Sequence, residues 1–431
     1  MNQELLERLE STYRDLDLFP LLEPEEIDRF RVEYGREVLV RLKREVEASV
    51  KDGKIIFAGH RGCGKSTLLK TFAVEMQPKY FVVRFSISDL IEMSDVSHVN
   101  ILYSIAIMLL SHATRANVTV AADLKQSLLA WTGGPQRKTS ERKVDTNFEA
   151  GLEIEDPLGI VGGVTLKLQQ DRSFREELEK TYKGKISELV GSLDRLAATV
   201  QGQLKKPVLV IIDDLDKLDP SIVEPIYRDN LKSLFSPGFK IVFTIPVSAV
   251  QEPRIMGALN SEGVVRPQLF PVVKFFGRED CRDVSAIPIE KNLKLFQTIL
   301  EKRFPPGLLS PEIARKIALL SGGVMRELVR IGRECCTECM VRLDIEPDCN
   351  DITIDDEILT AALGNLRNDF ARQVGTKYDV LVRVYQSLDA SEGEAFVAML
   401  HGLMVLEYEN GDLWYDLHPI VRDLLKRRKL I

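Results

Sequence analysis

Lys54-Ile55-Ile56-Phe57-Ala58-Gly59-His60-Arg61-Gly62-Cys63-Gly64-Lys65-Ser66-Thr67 is the stretch whose reading decides the fold. A short continuous apolar run that ends in a glycine-rich loop marks a strand buried on both faces. The loop from Gly59 to Ser66 fits G-x-x-x-x-G-K-[ST], and Thr67 to Met76 then takes up a helical pattern, the context this motif requires. The glycines let the loop wrap with its amides toward phosphates, and the end of the following helix adds positive potential. The residues from Gly59 to Thr67 are therefore expected to cradle a nucleotide, with Lys65 on the β and γ phosphates and Ser66 as a ligand of Mg²⁺.

A second element lies far along the chain, where Val208-Leu209-Val210-Ile211-Ile212-Asp213-Asp214 is an apolar strand ending in paired acids. Asp213 is expected to hold Mg²⁺ through water, and Asp214 to orient or activate the attacking water. Aspartate is one methylene shorter than glutamate, so turnover is expected to be slow or to need a partner. The following acids, Asp216 and Asp219, read as a solvent-exposed acidic turn.

Working outward, further apolar runs at Tyr80 to Phe85, Lys240 to Ile245 and Pro271 to Phe275 alternate with helical segments. That alternation predicts an α/β fold, a mostly parallel sheet covered by helices. Residues 1–50 form an N-terminal helical segment, with Leu5, Leu6, Leu9 and Tyr13 at helical spacing and a kinked stretch from Leu18 to Pro24. The nucleotide-binding core spans 51–280 and carries an insertion at about 111–170. Trp131 to Lys143 and Gly159 to Val164 read there as Gly/Pro-punctuated loop, mobile in part, before one long charged helix from Phe174 to Val200. Residues 281–372 form a helical lid with helices over Lys291 to Phe304, Ser310 to Leu320, Val324 to Leu343 and Asp355 to Ala371. Ser310 caps the second of these and Pro311 occupies its first turn. Residues 373–431 give helices and then two strands around Asn410-Gly411, a type I′ hairpin signal, which together suggest a winged helix.

Composition narrows the function classes. The 431 residues are 45% hydrophobic and 29% charged with a net charge of −7, an ordinary globular balance that excludes disorder and fibre and leaves no bulk positive field for nucleic acid or anionic lipid. No apolar stretch reaches the ~18 to 20 residues that span a bilayer, and the N-terminus has no signal-peptide core, so no membrane contact and a cytoplasmic location are expected. The six cysteines form no disulfide framework. Cys336-Thr337-Glu338-Cys339 has a metal-like spacing but lies inside a helical pattern, so buried thiols are expected rather than zinc, and Cys63 reads as a small loop residue. Two basic clusters could touch nucleic acid: Arg137-Lys138 with Arg142-Lys143, and Arg422 with Lys426 to Lys429. The acids Glu407, Glu409, Asp412 and Asp416 of the hairpin would repel phosphates, so DNA contact is the less favoured reading.

On its two phosphate-site motifs the chain resembles the AAA+ and STAND class of P-loop ATPases, especially bacterial members of origin-recognition-like architecture. The resemblance implies ATP and Mg²⁺ as cofactors. It makes Thr244, on the strand Phe239 to Ile245, a sensor of the γ phosphate. It makes Ser321-Gly322-Gly323-Val324-Met325-Arg326 the turn of the lid that aims Arg326 at the nucleotide, although Met325 falls where some members place the arginine. Phe30-Arg31-Val32 becomes the candidate adenine-pocket strand. Such families complete their site with an arginine from a neighbouring subunit, a place Arg254 and Arg266 occupy here, although solvated surface charge is the plainer reading of both. The implied function is a self-associating, ATP-hydrolysing molecular switch of signalling or defence type, a homo-oligomer acting through a separate effector or partner protein. Two alternatives stand beside it: a DNA-binding or remodelling ATPase of origin-recognition type, and a nucleotide-locked scaffold with negligible turnover.

Overall fold

The computed structural model describes residues 3–129, 157–346, 352–409 and 411–431. Three helices open the chain: α1 (Gln3–Asp15), α2 (Pro24–Phe30) and α3 (Arg36–Ala48). The sheet follows, with β1 (Lys54–Gly59), β2 (Phe81–Ser86), β3 (Val208–Asp213), β4 (Lys240–Pro246) and β5 (Gln268–Phe270) in the order β2-β3-β4-β1-β5, every pair parallel. Side chains alternate as the pleat demands. Ile56, Ala58, Val210, Ile212, Ile241 and Phe243 enter one buried cluster, while Ile55, Phe57, Leu209, Ile211 and Val242 enter another. The register sets Ser86 opposite Asp213 and Gly59 opposite Pro246, which gathers the phosphate loop and the paired acids at the carboxyl edge of the sheet.

One predicted strand is misplaced. The last strand is Gln268–Phe270, and Pro271 to Phe275 leaves the sheet. Pro271 has no N–H to give a ladder, and beyond it the Val273 amide donates to the Gly323 carbonyl at 3.3 Å instead.

Helix α4 (Lys65–Met76) runs from the loop along one face of the sheet. The other face is covered by α5 (His98–Arg115), buried for nearly its whole length. The insertion contributes α6 (Ala122–Leu129), α7 (Pro157–Gln170) and α8 (Arg172–Tyr182) before α9 (Ile186–Leu204). Gly159 to Val164 is therefore helical, not loop: Val161, Val164 and Leu168 share a face and bury it in the cluster around α5. The single long helix expected over Phe174 to Val200 is two, interrupted around Gly184, which lets both Tyr182 and Leu189 turn inward. Trp131, the loop around it and the basic cluster Arg137 to Lys143 lie outside the described residues. Short helices α10 (Pro220–Glu224) and α11 (Leu231–Leu234) link β3 to β4, and α12 (Val247–Val250) and α13 (Pro253–Ser261) link β4 to β5.

The segment expected as a lid, and called the lid for its place in the chain, comprises α14 (Glu290–Glu301), α15 (Pro311–Leu320), α16 (Met325–Ile345) and α17 (Asp356–Val374). Ser310 caps α15 as expected, accepting the Ile313 amide at 3.2 Å. Cys335, Cys336 and Cys339 are buried along α16 as apolar packing, with burial pushing their thiols up. Helix α1 joins this unit, since Leu5, Leu9 and Leu16 fall in one apolar cluster with Leu328, Ile331 and Cys335.

The C-terminal part consists of α18 (Tyr378–Ser387), α19 (Glu394–His401), the antiparallel pair β6 (Val405–Glu409) and β7 (Leu413–Leu417), and α20 (Pro419–Arg427). Glu409 pairs with Leu413, which leaves three residues between the strands rather than the two of a type I′ turn, with Gly411 at φ 102°. This hairpin bridges the molecule. Leu406, Tyr408 and Trp414 pack with β1 and α4, while Val405, Tyr415 and Leu417 pack with the lid. Among the described residues no helix is long and apolar enough to cross a membrane.

Candidate nucleotide site

A cavity lies between the core and the lid, with the phosphate loop at one end and an apolar recess at the other. The loop's shape follows from its glycines. Gly62 and Gly64 stand at φ 78° and 93°, in the left-handed region that favours glycine, and a Cβ on Gly62 would lie 2.4 Å from the Cβ of Arg326. The lid approaches here backbone to backbone, the Arg326 amide donating to the Gly62 carbonyl at 3.0 Å.

Charge at this end is arranged in three couples. Lys65, 4% exposed, sets its Nζ 2.8 Å from Asp216 Oδ2 and also donates to the carbonyls of Gly59 and His60 at 2.9 and 2.6 Å. Asp213 takes Arg84 Nη2 on Oδ2 at 3.0 Å, and its Oδ1 accepts from the Ser66 hydroxyl at 3.2 Å and the Asp214 amide at 2.9 Å. Asp214 faces Lys217 Nζ at 2.7 Å through Oδ1, while Oδ2 accepts from the hydroxyls of Ser86 and Ser88 at 2.7 and 2.8 Å. Burial, reinforced by Asp214 and Asp216, pushes Asp213 up to about 6 against the pull of Arg84. Burial acts the same way on Asp214, but Lys217 and the two serines outweigh it and hold that carboxyl below its usual range.

The three acids present oxygens within 4.8 Å of one another beside the Ser66 hydroxyl. A hard oxygen donor set of this kind fits Mg²⁺.

Several expected residues sit differently. Asp216 is buried at 4% exposure, not a solvent-facing turn: the 3₁₀ turn Leu215–Lys217 tucks it under the loop, and only Asp219 is exposed. Thr244 is wholly buried and does not line the cavity. Its hydroxyl accepts the Leu215 amide at 3.0 Å and donates to the Ile212 carbonyl at 3.1 Å, pinning the acidic turn to β4. His60 turns away from the cavity, its Nε2 accepting the Glu407 amide of the hairpin at 2.8 Å. Cys63 is buried, its thiol pushed up to about 11 by burial. Ser66, Thr67 and Arg326 do line the cavity, as do Arg61 and Met325. Arg266 pairs with Glu409 at 3.2 Å and Arg254 is exposed, and neither lines the cavity.

The hairpin acids are only half as described by their sequence. Glu409 and Asp412 are not buried, but Glu407 and Asp416 are. Glu407 accepts from Tyr415 Oη at 3.0 Å and from Gln251, while Asp416 meets Arg282 at 2.8 Å and Arg422 at 3.7 Å, which removes Arg422 from the free basic cluster.

The recess is walled by Leu18, Leu21, Phe30, Val32, Tyr34 and Ile299. Phe30 ends α2, Arg31 follows in extended backbone, and neither Arg31 nor Val32 belongs to a sheet. The recess holds a residue that sequence reasoning missed: Arg303, 8% exposed, stacked 4.9 Å over the Phe30 ring and donating to the Ile299 and Phe30 carbonyls. Burial lowers it to about 10. Arg84, Ser86 and Ser88 were missed as well. Arg84 had a signal, being the sole charge in the run Tyr80 to Phe85.

The chain carries a P-loop NTPase domain. Residues 52–245 match the model of the KAP family P-loop domain. No curated protein matches the chain. Among solved structures it is similar to the structure of Drosophila ORC bound to DNA, at 10% identity over 97% of this chain and 92% of that one, with a TM-score of 0.35, a likeness too loose to carry an argument.

Proposed function

We propose that the chain is a Mg²⁺-dependent ATPase that works as a molecular switch, binding ATP between core and lid and acting through a partner protein. The observation that carries this reading is the set of three acid–base couples at the phosphate loop, closed over by a lid that touches the loop through Gly62 and Arg326. Each couple can be opened by a phosphate or a divalent cation, so the site is charge-balanced for an exchange of partners.

Lys65 is the cation for the β and γ phosphates once they draw it from Asp216. Ser66 and Asp213 would hold Mg²⁺, which neutralises phosphate charge and screens the attacking oxygen from repulsion. Asp214 orients the water. Held anionic by Lys217 and the two serines, it is a poor base, yet a loose phosphoryl-transfer transition state asks for orientation more than for proton removal. The water oxygen bonds to the terminal phosphorus as the bond from that phosphorus to the bridging oxygen breaks. The electron pair stays on the diphosphate, and the water's proton passes to the phosphate product. The apolar, aromatic recess fits a purine base.

The hairpin and α20 form a module like a winged helix, docked on the loop through His60, and we read it as the part that moves to engage a partner protein. With Arg422 engaged by Asp416, DNA binding gains no support from it. Titration calorimetry with ATP and Mg²⁺ tests the reading. Saturable binding that is lost in folded Lys65→Ala supports it, and equal binding by both proteins refutes it.

A further inference from the structure

Arg84 stands on β2 where alternation sends its side chain to the α4 face, while Val83 and Phe85 enter the opposite cluster. Its Nη2 lies 3.0 Å from Asp213 Oδ2 and 3.5 Å from the Ser66 carbonyl. The side chain is 18% exposed, its Nε is buried without a hydrogen-bond partner, and Asp213 is its one ion-pair partner among the described residues, with Asp89 close enough to feel its charge. The guanidinium thus sits against the two residues that would hold Mg²⁺.

That position is stable only while no other cation claims Asp213. Like charges drawn to one carboxylate repel each other, and a divalent ion repels the guanidinium twice as strongly as a monovalent one at the same distance. Arg84 must then find another anion within reach of a long side chain anchored at β2. Asp214 is engaged by Lys217, Ser86 and Ser88, and Asp216 is shielded behind Lys65. Asp89 also feels the Arg84 charge but is exposed to water, where a charge pair is worth little, so the strong anion left at that edge of the loop is the terminal phosphate, which shares the ion with Ser66. Among the described residues of the core no other arginine contacts Asp213 or Ser66: Arg61 donates to the Lys217 carbonyl, Arg266 pairs with Glu409, and Arg254 is exposed.

We propose that Arg84 is an arginine supplied by the chain itself to the terminal phosphate, exchanged from Asp213 when Mg·nucleotide enters, so that hydrolysis needs no arginine from a neighbour. The proposal rests on the nucleotide-hydrolysing reading given above. In the transition state the guanidinium stabilises charge on the equatorial oxygens as the water–phosphorus bond forms and the bridging bond breaks.

The test compares wild type, Arg84→Ala and Arg84→Lys, with folding checked by circular dichroism, for affinity toward ADP and a non-hydrolysable ATP analogue with Mg²⁺ and with EDTA, and for single-turnover ATP hydrolysis across protein dilution. With Mg²⁺, Arg84→Ala is expected to lower the preference for triphosphate over diphosphate about tenfold or more, the loss of one charge-assisted contact. In EDTA that preference is expected to be unchanged. Turnover is expected to fall about 10²-fold or more, with partial recovery in Arg84→Lys, and the wild-type rate constant is expected to be independent of dilution. A merely structural arginine would weaken both nucleotides alike, and that parallel loss in Ala and Lys variants overturns the proposal. It is also overturned by an Arg84→Ala rate within twofold of wild type. A wild-type rate constant that rises with concentration, with activity regained on mixing Arg254→Ala, Arg266→Ala protein with Lys65→Ala protein, overturns it in favour of an arginine from a second copy. Should Arg84→Ala not fold, the Lys variant decides by the same two measurements. Wild-type protein that binds neither nucleotide overturns the nucleotide reading itself, whereas binding with an unaltered Arg84→Ala overturns this inference alone.

Discussion

Lys65 Nζ and Asp216 Oδ2 face each other at 2.8 Å with both side chains buried, so the cation of the loop motif already has an anion. Breaking a buried couple by removing one member costs about 3 to 5 kcal/mol, because the other charge is left without compensation. Asp216→Asn should therefore lower the melting temperature of the nucleotide-free protein. Phosphates restore the missing anion, so the rise in melting temperature on adding Mg·ATP should be larger than in wild type. Thermal unfolding with and without nucleotide measures both, and an equal nucleotide shift in the two proteins rules out the exchange.

Asp214→Asn should separate binding from turnover. The amide keeps bonds to Ser86 and Ser88 but loses the charge paired with Lys217, so ATP affinity should stay within a few-fold while single-turnover hydrolysis slows by about 10²-fold. Unchanged single-turnover rates would remove Asp214 from the chemistry.

Glu407 links the hairpin's stability to pH. Burial raises its carboxyl from an ordinary 4.5 to about 7, partly opposed by bonds from Tyr415 and Gln251. The folded protein therefore holds this proton more tightly than the unfolded chain. Glu407's contribution is complete below pH 4.5, declines between about 4.5 and 7, and is constant above, a total of about 3 kcal/mol at most. Glu407→Gln should melt higher than wild type at pH 8 and lose that advantage at pH 4.5. A melting difference that does not vary with pH would contradict the buried carboxyl.

Gly323 and Gly307 offer a matched pair, at φ 84° and 86°. A Cβ on Gly323 would lie 1.6 Å from the Val273 carbonyl oxygen, whereas one on Gly307 meets nothing within 4 Å. Gly307→Ala should cost only the left-handed backbone penalty of about 1 to 2 kcal/mol. Gly323→Ala should cost more, since the turn carrying Arg326 must shift, and ATP affinity should fall with it. Urea unfolding and calorimetry of the two variants report this, and equal losses would show that the contact with Val273 is slack.

The parallel strands were legible because burial on both faces writes a strand as a continuous apolar run, and the loop motif needs fixed residue types at fixed spacing. Pro271 to Phe275 is apolar for a different reason: it packs against the lid after Pro271 has ended the ladder. Which acid meets which base was not legible. That depends on the register of Ser86 beside Asp213 and on a 3₁₀ turn that buries Asp216, and both are set by packing between distant segments. The same holds for Glu407 and Asp416, which read as surface charge until the hairpin is seen to rest on the loop. Arg303 in the apolar recess had no local signal, since a basic pair such as Lys302-Arg303 just past the end of an amphipathic helix normally faces solvent.

Helix α1 was read as part of an N-terminal segment, yet its apolar stripe is sealed by α16, where Leu16 Cδ2 would stand 3.4 Å from a Cβ on Gly332. On the ribosome this contact has a date. At about 5 to 20 residues per second, the three hundred or so residues between them take about 15 to 60 s to synthesise. For that interval the stripe of Leu5, Leu9 and Leu16 lacks its α16 neighbours, while the sheet from β1 to β5 is fully translated before α16 is. The core is thus the early product of translation and the lid the late one. Helix α1 is made before the sheet and sealed after it.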